Sequence, residues 1–227
     1  MGGAGAGAAT LRVSEIFHSL QGESTRVGLP TVFIRLTGCP LRCVWCDTAY
    51  AFSGGEPLAI DAILARVADY HCPTVCVTGG EPLAQANCLP LLTALCAAGY
   101  SVSLETSGAL DIAHVDPRVS RIVDVKAPDS GEAAKNRWEN LDLLRPQDEL
   151  KLVLASRADY EWARAFIAGQ PEKSALAGRR LACPVLFSPV WDRLAPAELA
   201  QWILDDRLPV RFQLQLHKIL WGQVNGR

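Results

Sequence analysis

Apolar and polar positions alternate along this chain in two periods, and the period switches repeatedly. Short β-branched or apolar runs predict strands at Thr31–Leu36, Thr74–Thr78, Ser101–Glu105, Arg121–Val125, Leu150–Leu154, Pro184–Ser188 and Arg211–Leu216. Between them, Ile60, Ile63, Leu64 and Val67 follow the i, i+3, i+4, i+7 spacing of an amphipathic helix, and Cys88, Leu91, Leu92 and Leu95 repeat it. Tyr160–Ile167 and Leu199–Ile203 read as further helices. Such alternation implies an α/β fold with a mainly parallel sheet and crossover helices. Folds of this class place their chemistry at the C-terminal ends of strands. The unusual motifs of this chain follow predicted strands: Gly38–Thr48, Gly79–Pro82, Thr106–Gly108 and Lys126–Pro128. No repeat or linker divides the sequence. The expectation is one domain over residues 11–227, preceded by a Gly/Ala-rich flexible tail over residues 1–10.

Composition narrows the class. With 49% hydrophobic and 20% charged residues in 227, the chain has the make-up of an ordinary globular domain with a sizeable core. A net charge of −2 gives no electrostatic reason to bind nucleic acid. No apolar run approaches the roughly 20 residues that span a bilayer. The N-terminus lacks the basic start and leucine-rich middle of a signal peptide. A cytoplasmic protein is expected, without nucleic-acid or membrane partners. In that compartment, eight cysteines suggest metal binding or buried thiols before disulfides.

Cys39-Pro-Leu-Arg-Cys43-Val-Trp-Cys46 has three cysteines spaced C-x3-C-x2-C after a strand. Three thiolates satisfy three irons of a [4Fe-4S] cubane and leave the fourth iron open to an external ligand. The amino and carboxylate groups of S-adenosylmethionine (SAM) suit that position. A zinc site completed by a distant residue, or thiols that are simply buried, are the alternatives. Cys72, Cys76, Cys88, Cys96 and Cys183 form no second triplet, so no auxiliary cluster is expected.

Thr78-Gly79-Gly80-Glu81-Pro82 lets backbone approach a ligand closely, though a plain tight turn would use the same glycines. Glu105-Thr106-Ser107-Gly108 offers a carboxylate that can accept from ribose hydroxyls, with Ser107 as a further polar contact. A turn or helix cap would use the same residues. Lys126, at the end of Asp124-Val125-Lys126, is either a partner for the SAM carboxylate or a solvated strand-end lysine. In this order, one strand apart, the triplet and the Gly-Gly-Glu segment resemble the radical SAM superfamily.

The flanks are more specific. Leu20-Gln21-Gly22-Glu23, Phe33-Ile34-Arg35-Leu36, Cys46-Asp47-Thr48 and Gln215-Leu216-His217-Lys218 frame these motifs. The set resembles the 7-carboxy-7-deazaguanine synthase family of the queuosine pathway, from about Val13 to Trp221. That resemblance implies a shortened, open TIM-type (partial β/α) barrel. It implies the conversion of 6-carboxy-5,6,7,8-tetrahydropterin to 7-carboxy-7-deazaguanine with loss of ammonia. It also implies Mg²⁺ as a cofactor beside the cluster and SAM, a homodimer, and an electron donor such as flavodoxin or ferredoxin. Residue by residue, it implies cluster ligation by Cys39, Cys43 and Cys46 and Mg²⁺ ligation by Thr48. SAM contacts fall to Trp45, Gly80, Glu81, Glu105, Ser107 and Lys126, and pterin contacts to Leu20, Gln21, Gly22, Arg35, Thr78 and His217. Arg35 as an ion pair, Asp47-Thr48 as a turn and His217 as a structural residue are the alternatives. The chain departs from the family pattern in three places. Ser24 stands where many relatives have Gly, Asp124-Val125-Lys126 where relatives carry Ser-Pro-Lys, and Ile219–Arg227 extends past the point where some relatives end. A glycyl-radical-enzyme activase is the rival enzyme, and a non-catalytic metal-binding or redox-sensing protein is the rival of another class.

Overall fold

Strand periodicity pairs into a nine-stranded sheet of order β3-β1-β2-β4-β5-β6-β7-β8-β9 in the computed structural model, which describes residues 9–169, 181–222, 224 and 226. The strands are β1 (Thr10–Leu20), β2 (Pro30–Leu36), β3 (Glu56–Ala59), β4 (Thr74–Gly79), β5 (Ser101–Thr106), β6 (Ser120–Lys126), β7 (Glu149–Leu154), β8 (Val185–Pro189) and β9 (Arg211–Phe212). From β2 to β9 every pairing is parallel, whereas β1 lies antiparallel between β2 and β3. The sheet curls without closing, with β3 and β9 as its edges.

Helices α1 (Ile60–Ala68), α2 (Cys88–Ala97), α3 (Arg157–Ile167) and α4 (Pro196–Asp205) cover the outer face, and α5 (Leu216–Trp221) follows β9. Strand alternation sorts side chains between two faces. Val75 and Val77 of β4 and Leu150, Leu152 and Leu154 of β7 join Ile63, Leu91, Leu95, Tyr160 and Phe166 in the outer core. Thr78, Lys151 and Val153 alternate with them and face the interior of the open barrel. At roughly 25 cal/mol per Å² of apolar surface, the outer core is the main stabilising layer. The interior is left free for polar groups.

Two crossovers depart from the expected helices. The β5–β6 connection has no helix, and β6–β7 carries only 3-10 turns at Pro128–Ser130, Ala133–Lys135 and Trp138–Leu143. A buried ion pair holds these loops instead. Arg121 meets Asp148 at 2.5 Å, with side chains 1% and 0% exposed, and donates to the Ile112 and Leu143 carbonyls. The predicted strand Arg211–Leu216 is also shorter than expected. It ends at Phe212, and the Leu216 amide donates to the Gly22 carbonyl at the start of α5. Thr10, placed in the tail by the sequence, pairs with Ala59 as the first residue of β1, while residues 1–8 lie outside the described set. Among the described residues, no helix is long and apolar enough to cross a membrane.

Candidate active site

The interior of the open barrel holds a cavity of about 580 Å³. Phe17, Phe33, Ile122, Val153 and Val190 give it apolar walls. Every site residue expected from sequence lines it except Glu81.

The triplet sits on the loop after β2. Cys39, Cys43 and Cys46 are free, half-buried and all face the cavity, and the other five cysteines do not line it. Backbone bonds shape the loop: Cys46 N donates to the Cys43 carbonyl and Leu41 N to Cys39 Sγ. It docks on the loop after β6, where Val44 N donates to the Ser130 carbonyl and Arg42 N to Glu132. Burial pushes the Cys39 and Cys43 thiols up, so they stay protonated until a metal displaces the proton. Thr48 Oγ1 lies 3.8 Å from Cys46 Sγ, at the cavity wall.

The Gly-Gly-Glu segment has a task that sequence reasoning missed. A Cβ at Gly80 would meet the Gly38 carbonyl oxygen at 2.3 Å and Cys39 Cβ at 2.8 Å. The close approach is therefore to the start of the cysteine loop as well as to the cavity. Glu81 N extends the contact by donating to the Gly38 carbonyl at 2.7 Å. The Glu81 side chain is fully buried, and its carboxylate accepts from Leu83 N, Thr106 Oγ1, Ser107 N and Ser107 Oγ. It fastens the end of β4 to the end of β5 and does not line the cavity. Ser107 lines the cavity, with its hydroxyl committed to Glu81.

Glu105 likewise departs from its expected company. Its carboxylate accepts from Gln21 Nε2 at 3.2 Å and Thr78 Oγ1 at 3.1 Å. Its bonding partners are thus two residues expected to meet the pterin, and it lines the same cavity as Gly80, Ser107 and Lys126. Nearby, Arg35 donates through Nε to Glu15 at 2.6 Å, and Tyr50 donates to the same oxygen. Burial and Glu15 push the Tyr50 phenol up to about 12. Gly22 touches His217, since a Cβ there would fall 2.2 Å from His217 Nδ1. Burial pushes His217 below its ordinary value, against the pull of Glu23 and Asp47, and leaves a neutral imidazole at neutral pH.

Further charged and polar cavity residues went unassigned, among them Glu23, Asp47, Asp124, Lys151, Gln215 and Lys218. Lys151 pairs with Glu23 at 2.6 Å, and Lys126 with Asp124 at 3.1 Å. Lys218 on α5 pairs with Asp47 at 2.7 Å and ties the C-terminal helix to the cysteine loop. Burial alone would raise the Glu23 carboxyl, but Lys151 and Gln215 override it and hold it at about 2. A signal for Lys151 existed in the alternation Glu149-Leu-Lys151-Leu-Val153, which turns lysine to the face opposite the leucines.

The arrangement is that of one open-mouthed cavity lined by three thiols, by the charged pairs Lys151–Glu23, Lys126–Asp124 and Lys218–Asp47, and by amide, carboxylate and imidazole groups. Residues 33–126 match the radical SAM superfamily. The 7-carboxy-7-deazaguanine synthase of Chlorobaculum tepidum is 48% identical over 217 residues, covering 94% of this chain and 96% of that protein. The synthase of Koribacter versatilis is 44% identical over 225 residues, covering 93% and 97%. Among solved structures, QueE from Escherichia coli superposes with a TM-score of 0.73 at 23% identity, covering 92% of this chain and 95% of that one, and so bears on the fold alone. Identity at this level over nearly the whole length places the chain in the 7-carboxy-7-deazaguanine synthase family, within the radical SAM superfamily.

Proposed function

We propose that this chain converts 6-carboxy-5,6,7,8-tetrahydropterin to 7-carboxy-7-deazaguanine and ammonia, in the route to queuosine and other 7-deazapurines. The observation that carries the reading is a single cavity lined by both the cysteine triplet and Gln21, Gly22, Arg35, Thr78 and His217. A protein activase would need the triplet and has no use for the second group.

The donor set fits a cubane. Thiolates are the soft ligands that iron–sulfur clusters take, and a cubane takes one per iron. The cysteines therefore need not meet at a point, and among the described residues no three potential ligands converge on a single ion. Cys39, Cys43 and Cys46 would hold three irons, leaving the fourth for the amino and carboxylate groups of SAM. When bound, a reduced cluster with SAM would supply hydrogen-abstracting radical chemistry to a substrate held in the same cavity.

The remaining work falls to side chains. Lys126, beside Asp124, offers a cation for the SAM carboxylate. Trp45, Gly80 and Ser107 line the cavity and would serve SAM, and Glu81 acts by holding Ser107 in place. Glu105, oriented by Gln21 and Thr78, presents acceptors to the amino edge of the pterin. Arg35, fixed through Nε by Glu15, has its remaining N–H groups for a ring carbonyl or carboxylate. Leu20 and the backbone around Gly22 complete that wall. The neutral His217 imidazole can accept or donate at the substrate edge. The Thr48 hydroxyl, a hard oxygen donor at the cavity wall, would hold a Mg²⁺ ion, which would supply a positive charge for the substrate carboxylate. A flavodoxin or ferredoxin supplies the electron, and the working unit is a cytoplasmic homodimer.

The test is turnover of the anaerobically reconstituted protein with SAM, dithionite and Mg²⁺. The expected product is 7-carboxy-7-deazaguanine, identified by mass. A protein with a full cluster that cleaves SAM but leaves the pterin unchanged would refute the reading.

A further inference from the structure

Strand β7 carries a charged side chain into the middle of the cavity. Lys151 lies between Leu150 and Leu152 of the outer core, and its own side chain is 11% exposed. Its ammonium meets Glu23 at 2.6 Å and Asp124 at 3.5 Å. An ammonium in such a place is costly unless paired, and removing one partner of a buried pair leaves the other uncompensated. Asp124 draws its compensation from Lys126 and Lys151, while its Oδ1 meets no donor among the described residues.

Glu23 is the pivot of the β1–β2 loop. Its carboxylate also accepts from Gln215 Nε2 at 2.8 Å, and its backbone N donates to Gln21 Oε1 at 3.1 Å. That bond fixes which way the Gln21 amide faces, so Nε2 reaches Glu105. The loop then passes beneath the strand starts. Ser24 N donates to Gln213, Thr25 N to Glu149 and Arg26 to Ser101 and Ser120. A continuous path of bonds therefore runs from Lys151 through Glu23 and Gln21 to Glu105.

We propose that Lys151 is a positioning residue for the pterin, acting through Glu23 to set the place of Gln21 and Gly22 in the cavity. The proposal rests on the function read above and adds a positioning residue that lies outside the cluster loop. It separates two duties of the charged centre. Lys126 serves the SAM end, and Lys151 serves the pterin end.

Wild type, Lys151→Met, Lys151→Arg and Glu23→Gln are compared after anaerobic reconstitution. Cluster content, SAM affinity, pterin KM and hydrogen exchange of the amides at residues 21–26 are measured on each. Lys151→Met is expected to keep cluster and SAM affinity, raise the pterin KM about tenfold or more and speed exchange at Glu23, Ser24 and Thr25. Lys151→Arg is expected to restore most of both. A Lys151→Met protein with wild-type KM and exchange would overturn the proposal, as would a loss of SAM affinity as large as the loss for pterin. If Lys151→Met fails to load a cluster, Glu23→Gln decides: it keeps Lys151 paired with Asp124, and a wild-type pterin KM in it overturns the proposal equally. Wild-type turnover in the same assay separates this outcome from failure of the functional reading.

Discussion

Burial sorts the cysteines into two kinds of chemistry. Cys39, Cys43 and Cys46 are half-buried at the cavity wall, whereas Cys72, Cys76, Cys88 and Cys183 are buried elsewhere. Burial pushes Cys88 up to about 12 and Cys183 up to about 11, values at which each remains a thiol and packs as a small hydrophobe. Alanine at 39, 43 or 46 is therefore expected to abolish the cluster, and alanine at 88 or 183 to leave it intact. Anaerobic iron and sulfide counts check this, and about four irons retained by a triplet variant would contradict it. The triplet was legible because its spacing is local. The bonding partners of Glu105 were not, since Gln21 and Thr78 lie 84 and 27 residues away and only the fold brings them together. Ser24 shows the same limit. Its φ of 69° explains why glycine suits the position, and the residue is held there by its bond to Gln213 and by Arg26 N donating to its hydroxyl.

At the scale of elements, the parallel strands β2 and β4 to β8 were read to within a residue or two because their apolar runs are buried on both faces. Strand β1 was missed for the opposite reason. It alternates as Leu11 and Val13, then loses register between Val13 and Glu15, where an irregularity shifts the pairing with β2. Its second half is only partly buried, so its hydrophobic signal is weak. The alternation over Arg211–Leu216 misled in turn, because Gln213 and Gln215 leave the sheet to bond Glu23. Contact between elements also gives Gly80 its role at the junction of β4 with the cysteine loop. A methyl group at Gly80 is expected to push the Gly38 backbone away, costing about 1–3 kcal/mol and disordering the loop that carries Cys39. Gly80→Ala should therefore lower the unfolding midpoint and reduce iron content together. Full iron content with unchanged SAM affinity would show that the junction tolerates a side chain.

At the scale of the whole molecule, the open sheet leaves an edge at β9 from which α5 turns back over the cavity. There Lys218 pairs with Asp47 beside Cys46, and His217 meets Gly22. The C-terminal helix thereby touches both the cysteine loop and the β1–β2 loop, so the thiols share one cavity with Gln21, Gly22 and His217. Such a space lets a hydrogen removed from the substrate be returned to the product before it escapes. SAM would then act as a reusable cofactor, and one molecule would serve many turnovers. The most direct measurement uses 6-carboxytetrahydropterin deuterated at C6, with SAM, Mg²⁺ and reductant, and follows product and recovered SAM by mass spectrometry. The account predicts 7-carboxy-7-deazaguanine in excess of the SAM consumed, with deuterium in the recovered SAM. Stoichiometric loss of SAM, or no deazaguanine from protein carrying a full cluster, would contradict it.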